Sequence, residues 1–102
     1  MSFYVYIAIE RKEAILDPAG KAIEHALGSL GFAGISNTRV GKLVRLKVDA
    51  VDSEAARKLG EEAARKLLSN AIMEDFSVIE VTSEPHLSIG ANVGVNAIGA
   101  HA

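Results

Sequence analysis

The residues able to do chemistry are few and scattered. The histidines are His25, His86 and His101. No two have the spacing that places a pair of imidazoles on one helix face, and no HExxH motif occurs. A surface or packing role is the expectation for each, rather than metal ligation. Glu74 and Asp75 are adjacent carboxylates. Such a pair can coordinate magnesium, but the ion wants further oxygen donors, and chain neighbours tend to face different ways, so a solvated pair is expected. Arg39, Lys42, Arg45 and Lys47 form a basic cluster. It can receive an anionic ligand or an acidic protein surface, or simply act as solvated charge on a sheet. There is no cysteine, which removes thiolate nucleophiles, disulfides and zinc–thiolate sites and fits a reducing compartment. No G-x-S-x-G elbow or P-loop is present, and the Gly90–Gly94 stretch has neither a following helix nor the lysine of a phosphate loop. The expectation is no catalytic residue, no metal and no cofactor on this chain. An interaction role is favoured over catalysis.

The elements that position these residues follow from hydrophobic spacing. Phe3, Val5, Ile7 and Ile9 alternate with Tyr4, Tyr6, Ala8 and Glu10, which predicts a strand with a partly covered second face. Asp17-Pro18 opens a helix, with Asp17 as cap and Pro18 where no N–H is needed. Ile23, Ala26, Leu27 and Leu30 form its apolar stripe, and Gly31 ends it. Residues 35–40 and 43–49 flank Gly41-Lys42 and read as a hairpin. Val44, Leu46 and Val48 share one face of its second strand, with Arg45 and Lys47 on the other. Asp52-Ser53 starts a second helix with Ala56, Leu59, Ala63 and Leu67 as the expected buried face, ending at Ser69-Asn70. A last strand, 76–82, sets Phe76 and Val78 against Ile79 and Val81.

The order β-α-β-β-α-β predicts a two-layer α+β sandwich of ferredoxin-like type, with both helices on one face of an antiparallel sheet. Residues 1–82 form the expected domain and 83–102 a C-terminal extension. From 87 to 97 the extension alternates Leu, Ile, Ala, Val, Val and Ala with Ser, Gly, Asn, Gly and Asn, and no Lys, Arg, Asp or Glu occurs after Glu84. It reads either as a loose terminus or as an added strand or arm. The other sheet face stays open. Tyr4, Tyr6, Phe76 and Val78 are the candidates to line it as a homo-oligomer interface.

Composition narrows the class. The chain has 102 residues, 49% hydrophobic and 24% charged, with a net charge of -2. That suits one globular domain and argues against a basic nucleic-acid binder. No apolar run nears the roughly 20 residues of a membrane span, and the first residues lack a signal-peptide pattern. A cytoplasmic location is expected.

The segment Ile15-Leu16-Asp17-Pro18-Ala19-Gly20, continuing to Ile23-Glu24-His25-Ala26-Leu27, resembles the first-helix signature of the PurS family. Arg39-Val40-Gly41-Lys42 is similar to the family's hairpin motif, and residues 66–76 to its helix end and last-strand entry. The resemblance spans about residues 3–82. It implies a small, non-catalytic subunit of phosphoribosylformylglycinamidine synthase. That complex converts formylglycinamide ribonucleotide, glutamine and ATP into formylglycinamidine ribonucleotide, glutamate, ADP and phosphate. The implied partners are a PurL-type synthetase, which holds ATP and magnesium, and a PurQ-type glutaminase. The implied state is a homodimer or homotetramer that bridges the two and supports ammonia transfer. On that basis Arg39, Lys42 and Arg45, with Asn70, Glu74 and Asp75, are the expected partner contacts. An ACT-like ligand-binding module is the alternative. An RNA-binding sheet has slight support from Tyr4 and Tyr6, but its sequence motif is missing.

Overall fold

Strand β1 (Ser2–Arg11) is the spine of the molecule, described over residues 1–85 by a computed structural model. His86, His101 and the alternating stretch 87–97 lie outside the described residues. β1 pairs antiparallel with β2 (Lys42–Asp49) on one side and β3 (Glu74–Thr82) on the other, giving the order β2-β1-β3. Helix α1 (Pro18–Ser29) lies between β1 and β2 in sequence, and α2 (Ser53–Ala63) between β2 and β3. The fold is α+β, with two helices and an antiparallel sheet as expected. No helix among the described residues is long and apolar enough to cross a membrane.

The core forms where β1 meets α2. Val5, Ile7 and Ile9 are fully buried with Ala56 and Ala64, and Val44, Leu46, Val48, Phe76, Val78 and Val81 close around them. A bulge makes this possible. Tyr6 pairs with Glu80 but Ile7 pairs with Val78, so Ile79 is the extra residue of β3. One added residue reverses the alternation of the strand, and Phe76, Val78 and Val81 all reach the core side. The simple alternation expected for 76–82 is corrected accordingly.

Helix α2 also corrects the sequence reading. Its buried face is Ala56, Gly60 and Ala64, while Leu59 and Leu67 are exposed. The reason is close approach: a Cβ on Gly60 would lie 2.6 Å from Val5 Cγ1, so the side facing β1 has room only for small residues. Asp52 caps the helix through a bond from the Ala55 N–H at 2.8 Å. The helix leaves through a π-helical turn at Ala64–Leu68, closed by the Ser69 N–H on the Ala64 carbonyl.

Residues 35–40 do not form the expected strand, and Gly41-Lys42 is not a hairpin turn. The backbone N–H groups that would join a ladder are taken by carboxylates instead. Thr38 N–H donates to Glu24 at 2.7 Å and Val40 N–H to Asp17 at 2.7 Å. Asn37 adopts φ 53°, in the left-handed region that breaks an extended run. The segment is stitched to α1, and among the described residues β2 pairs with β1 alone.

Two glycine substitutions of the same kind have opposite expected outcomes. Gly60→Ala overpacks against Val5 and lowers stability by about 1–3 kcal/mol. Gly28→Ala, in the last turn of α1 with open space around it, raises stability by up to about 1 kcal/mol. Urea unfolding midpoints of the two variants check both signs.

Candidate functional site

One end of the sheet collects most of the residues singled out by sequence. Asp17 stands at its centre. Its carboxylate accepts from the Gly20 N–H at 3.1 Å, capping α1, and from the Val40 N–H at 2.7 Å, holding the segment that returns toward β2. The residue is only 3% exposed. These two backbone bonds, foremost the one from Val40, hold its carboxyl below the ordinary 3.8; burial opposes them, and the guanidinium groups of Arg39 and Arg11 assist. Gly20 is required beside it, because a Cβ there would meet the Thr38 carbonyl.

Arg39 is the second fastener. Its Nη2 donates to the carbonyls of Lys12 at 2.7 Å, Ile15 at 2.9 Å and Arg11 at 3.3 Å, and its Nε faces Glu13 at 3.7 Å. The side chain is 18% exposed. The guanidinium organises the loop between β1 and α1. Arg11 adds a bond from Nη1 to the Leu16 carbonyl at 2.8 Å.

The entry to β3 completes the corner. Asn70 Oδ1 accepts from the Ile72 and Met73 N–H groups, and the Asn70 N–H donates to Glu74 at 2.8 Å. Glu74 faces Lys42 at 3.6 Å, and Asp75 pairs with Lys12 at 2.6 Å. The adjacent carboxylates thus engage two different lysines. Among the described residues no group of three or more His, Cys, Asp or Glu could hold a metal ion. An open cleft of about 260 Å³ separates the fasteners, lined in part by Arg11, Asp17, Lys42 and Glu74. Arg39, Asn70 and Glu74 are committed to internal bonds, whereas Lys42 is 58% exposed and Asp75 is open to solvent.

Arg45 lies elsewhere. It is paired with Tyr6 across the sheet, stands 5.3 Å over the Tyr4 ring, and donates to the Pro85 carbonyl at 3.0 Å. The four residues expected to line one oligomer interface are divided between two faces. Tyr4 and Tyr6 occupy the side away from α2, while Phe76 and Val78 are half-buried on the core side. The divider is β1, where Val5 and Ile7 take the core side and leave the tyrosines opposite.

The largest departure concerns α1. Its apolar stripe, expected to be buried, is mostly open: Ile23 is 45% and Leu30 74% exposed, and Phe32 and Ile35 beyond the helix continue the patch. α2, not α1, packs against all three strands. Of the positioning groups Asp17 and Glu24, one is announced in the sequence. Asp17 before Pro18 announces a cap but not its second bond, and Glu24 on the polar side of α1 carries no motif that would single it out.

Comparison with known proteins agrees with this arrangement. The family model described as PurS, phosphoribosylformylglycinamidine (FGAM) synthase, matches residues 4–82. The PurS subunit of that synthase from Synechocystis is 32% identical over 82 residues, covering 80% of this chain and 81% of the relative. PurS of Thermus thermophilus superposes with a TM-score of 0.75 at 29% identity, covering 83% of this chain and 100% of that one. A chain in the structure of PurLQS from Thermotoga maritima gives a TM-score of 0.68 at 28% identity, covering 79% and 95%.

The Asp17 corner has a pH signature. A carboxyl whose folded pKa is lowered contributes stability that is present above its unfolded value and lost as pH falls through the folded one. The stability gap between the native chain and Asp17→Asn is therefore expected to stay constant near neutrality and to narrow as pH drops below 3.8. Urea titrations across that range check this; a gap independent of pH contradicts the role given to the ionised carboxylate.

Proposed function

Because this chain belongs to the PurS family of phosphoribosylformylglycinamidine synthase, we propose that it is the non-catalytic bridging subunit of that enzyme in purine biosynthesis. The enzyme converts formylglycinamide ribonucleotide, glutamine and ATP into the amidine product, glutamate, ADP and phosphate. In this reading a glutaminase subunit releases ammonia, a synthetase subunit holds ATP and magnesium, and this chain, self-associated as a homodimer or homotetramer, fixes one against the other in the cytoplasm. The family match carries the reading. The naming of PurLQS as one structure for the Thermotoga maritima relative supports it.

The chemistry asks for such a part. Ammonia in neutral water is mostly protonated and no longer a nucleophile. Two active sites that exchange it must be held in register, and that is a task of orientation. Residues supporting that task are on hand here: the polar groups of the corner are spent on fixing loops, while a broad apolar patch on α1 remains uncovered. Exposed apolar surface of this kind marks a subunit interface. We place exposed Lys42 and Asp75, and Arg45 on the tyrosine face, as the polar contacts that a partner meets, with Arg39, Asn70 and Glu74 acting through the loops they hold.

Two variants test the assignment. Leu30→Asp, in the exposed stripe, is expected to abolish co-sedimentation of the three subunits while the isolated chain keeps its melting temperature. Lys42→Gln weakens the complex by roughly tenfold, about 1.4 kcal/mol. Glutamine is chosen because reversal would set a second carboxylate beside Glu74. The Lys42–Glu74 pair is exposed on the lysine side, so its loss costs the isolated fold little. Assembly unchanged in both variants, or a large fall in melting temperature, contradicts the proposal.

A further inference from the structure

Helix α2 carries a second apolar face, turned away from the sheet. Ala56, Gly60 and Ala64 pack inward, while Ala55, Leu59, Ala63 and Leu67 recur at every fourth position beside them. Leu59 is 48% and Leu67 83% exposed, and Ala55 and Ala63 are half-buried. The π-helical turn keeps this row straight. At about 3.6 residues per turn, an unbroken α-helix would carry Leu67 round toward the Gly60 side. The bond from the Ser69 N–H to the Ala64 carbonyl closes a wider turn, and Leu67 stays out in line with Leu59.

The row alternates small and large: Ala55, Leu59, Ala63, Leu67. Rows of residues four apart are the ridges that interlock when two helices pack. This ridge fits a copy of itself run in the opposite direction. With a two-fold axis between Leu59 and Ala63, Leu59 meets Ala63 of the second copy and Leu67 meets its Ala55, so every leucine faces an alanine. A shift of one turn either way sets leucine on leucine. The charges agree with the same register. Lys58 and Glu62, both exposed, flank the row on its solvent side, and the two-fold sets Lys58 of each copy beside Glu62 of the other. A surface complementary to itself in both size and charge is what a symmetric pair requires.

We propose that a second copy of this chain docks on that face, with the two α2 helices antiparallel and interlocked through Leu59 and Leu67. This deepens the self-association included in the proposed function and rests on it. It also divides the labour of the two open apolar rows: α2 receives the second copy, and the α1 row around Leu30 stays available to a different subunit. Two chains joined through α2 then present two α1 rows from one rigid body.

Sedimentation equilibrium of the full chain over a range of concentrations tests this, with far-UV circular dichroism to confirm that each variant is folded. Leu59→Asp is expected to raise the self-dissociation constant at least about tenfold, and Leu30→Asp to leave it unchanged. Lys58→Glu, which sets carboxylate against carboxylate across the pair, weakens association. The double variant Lys58→Glu with Glu62→Lys restores it to within about twofold of the native value, an outcome that loss of a merely structural residue would not give. Association that survives Leu59→Asp overturns the proposal, as does dissociation by Leu30→Asp alone, which would place the second copy on α1. Failure of the charge exchange to restore association overturns the antiparallel register. A native chain that stays monomeric at every concentration removes self-association itself, and this interface with it, while the co-sedimentation test of the bridging role stands apart.

Discussion

The placement of α1 and of the segment that enters β2 depends on a single buried carboxylate. Asp17 joins two parts of the chain that share no strand pairing: the start of α1 and the segment leading into β2. Its two acceptor sites take backbone N–H groups that would otherwise be left unpaired, Gly20 in the first turn of α1 and Val40 in a half-buried loop. That is where an unmet hydrogen bond costs most. With this link made, Gly20 can lie against the Thr38 carbonyl, Glu24 can take the Thr38 N–H, and Arg39 is delivered to the carbonyls of the β1–α1 loop. The corner is thus built from polar bonds rather than from a hydrophobic core, and it fixes the direction in which α1 projects.

That projection ties structure to function. Among the described residues α1 is held by its N-terminal end and a returning loop, and its apolar stripe stays available. A subunit that must grip others needs just such a surface. The sheet and α2, by contrast, close on themselves through Val5, Ile7 and Ile9. One half of the molecule supplies its stability and the other half presents surface. A ligand-binding module would be expected to concentrate polar groups around an enclosed pocket. Here the polar groups converge on one another, and the cleft between them is open.

Much of this is legible in the residues. Alternation marks β1 and β2, Asp17-Pro18 and Asp52-Ser53 mark both helix starts, and Gly31, at φ 96°, ends α1 as its position suggests. The failures have physical causes that spacing cannot carry. Residues 35–40 look like a strand because β-branched and apolar types are present, yet their N–H groups are captured by carboxylates distant in sequence. Leu59 and Leu67 look like core residues, but the backbone of α2 comes so near Val5 that only Ala56, Gly60 and Ala64 fit. The bulge at Ile79 shifts the parity of β3 without any local glycine to announce it. Arg39 stands out in the sequence, but nothing in its neighbourhood in sequence reveals the three carbonyls it meets. Of the expected contact residues, the corner gathers Arg39, Lys42, Asn70, Glu74 and Asp75, whereas Arg45 belongs to the tyrosine face.

The central claim is that this chain contributes position and no chemistry. The most direct measurement compares two nitrogen sources. Amidine formation is followed with the synthetase and glutaminase subunits, with and without this chain, once with glutamine and once with a high concentration of ammonium salt. The account predicts that the glutamine-supported rate depends strongly on the chain, while the ammonium-supported rate changes by less than about twofold, because free ammonia bypasses the need for alignment. An equal rise in both rates would show that the chain completes the synthetase active site itself, and would contradict the account.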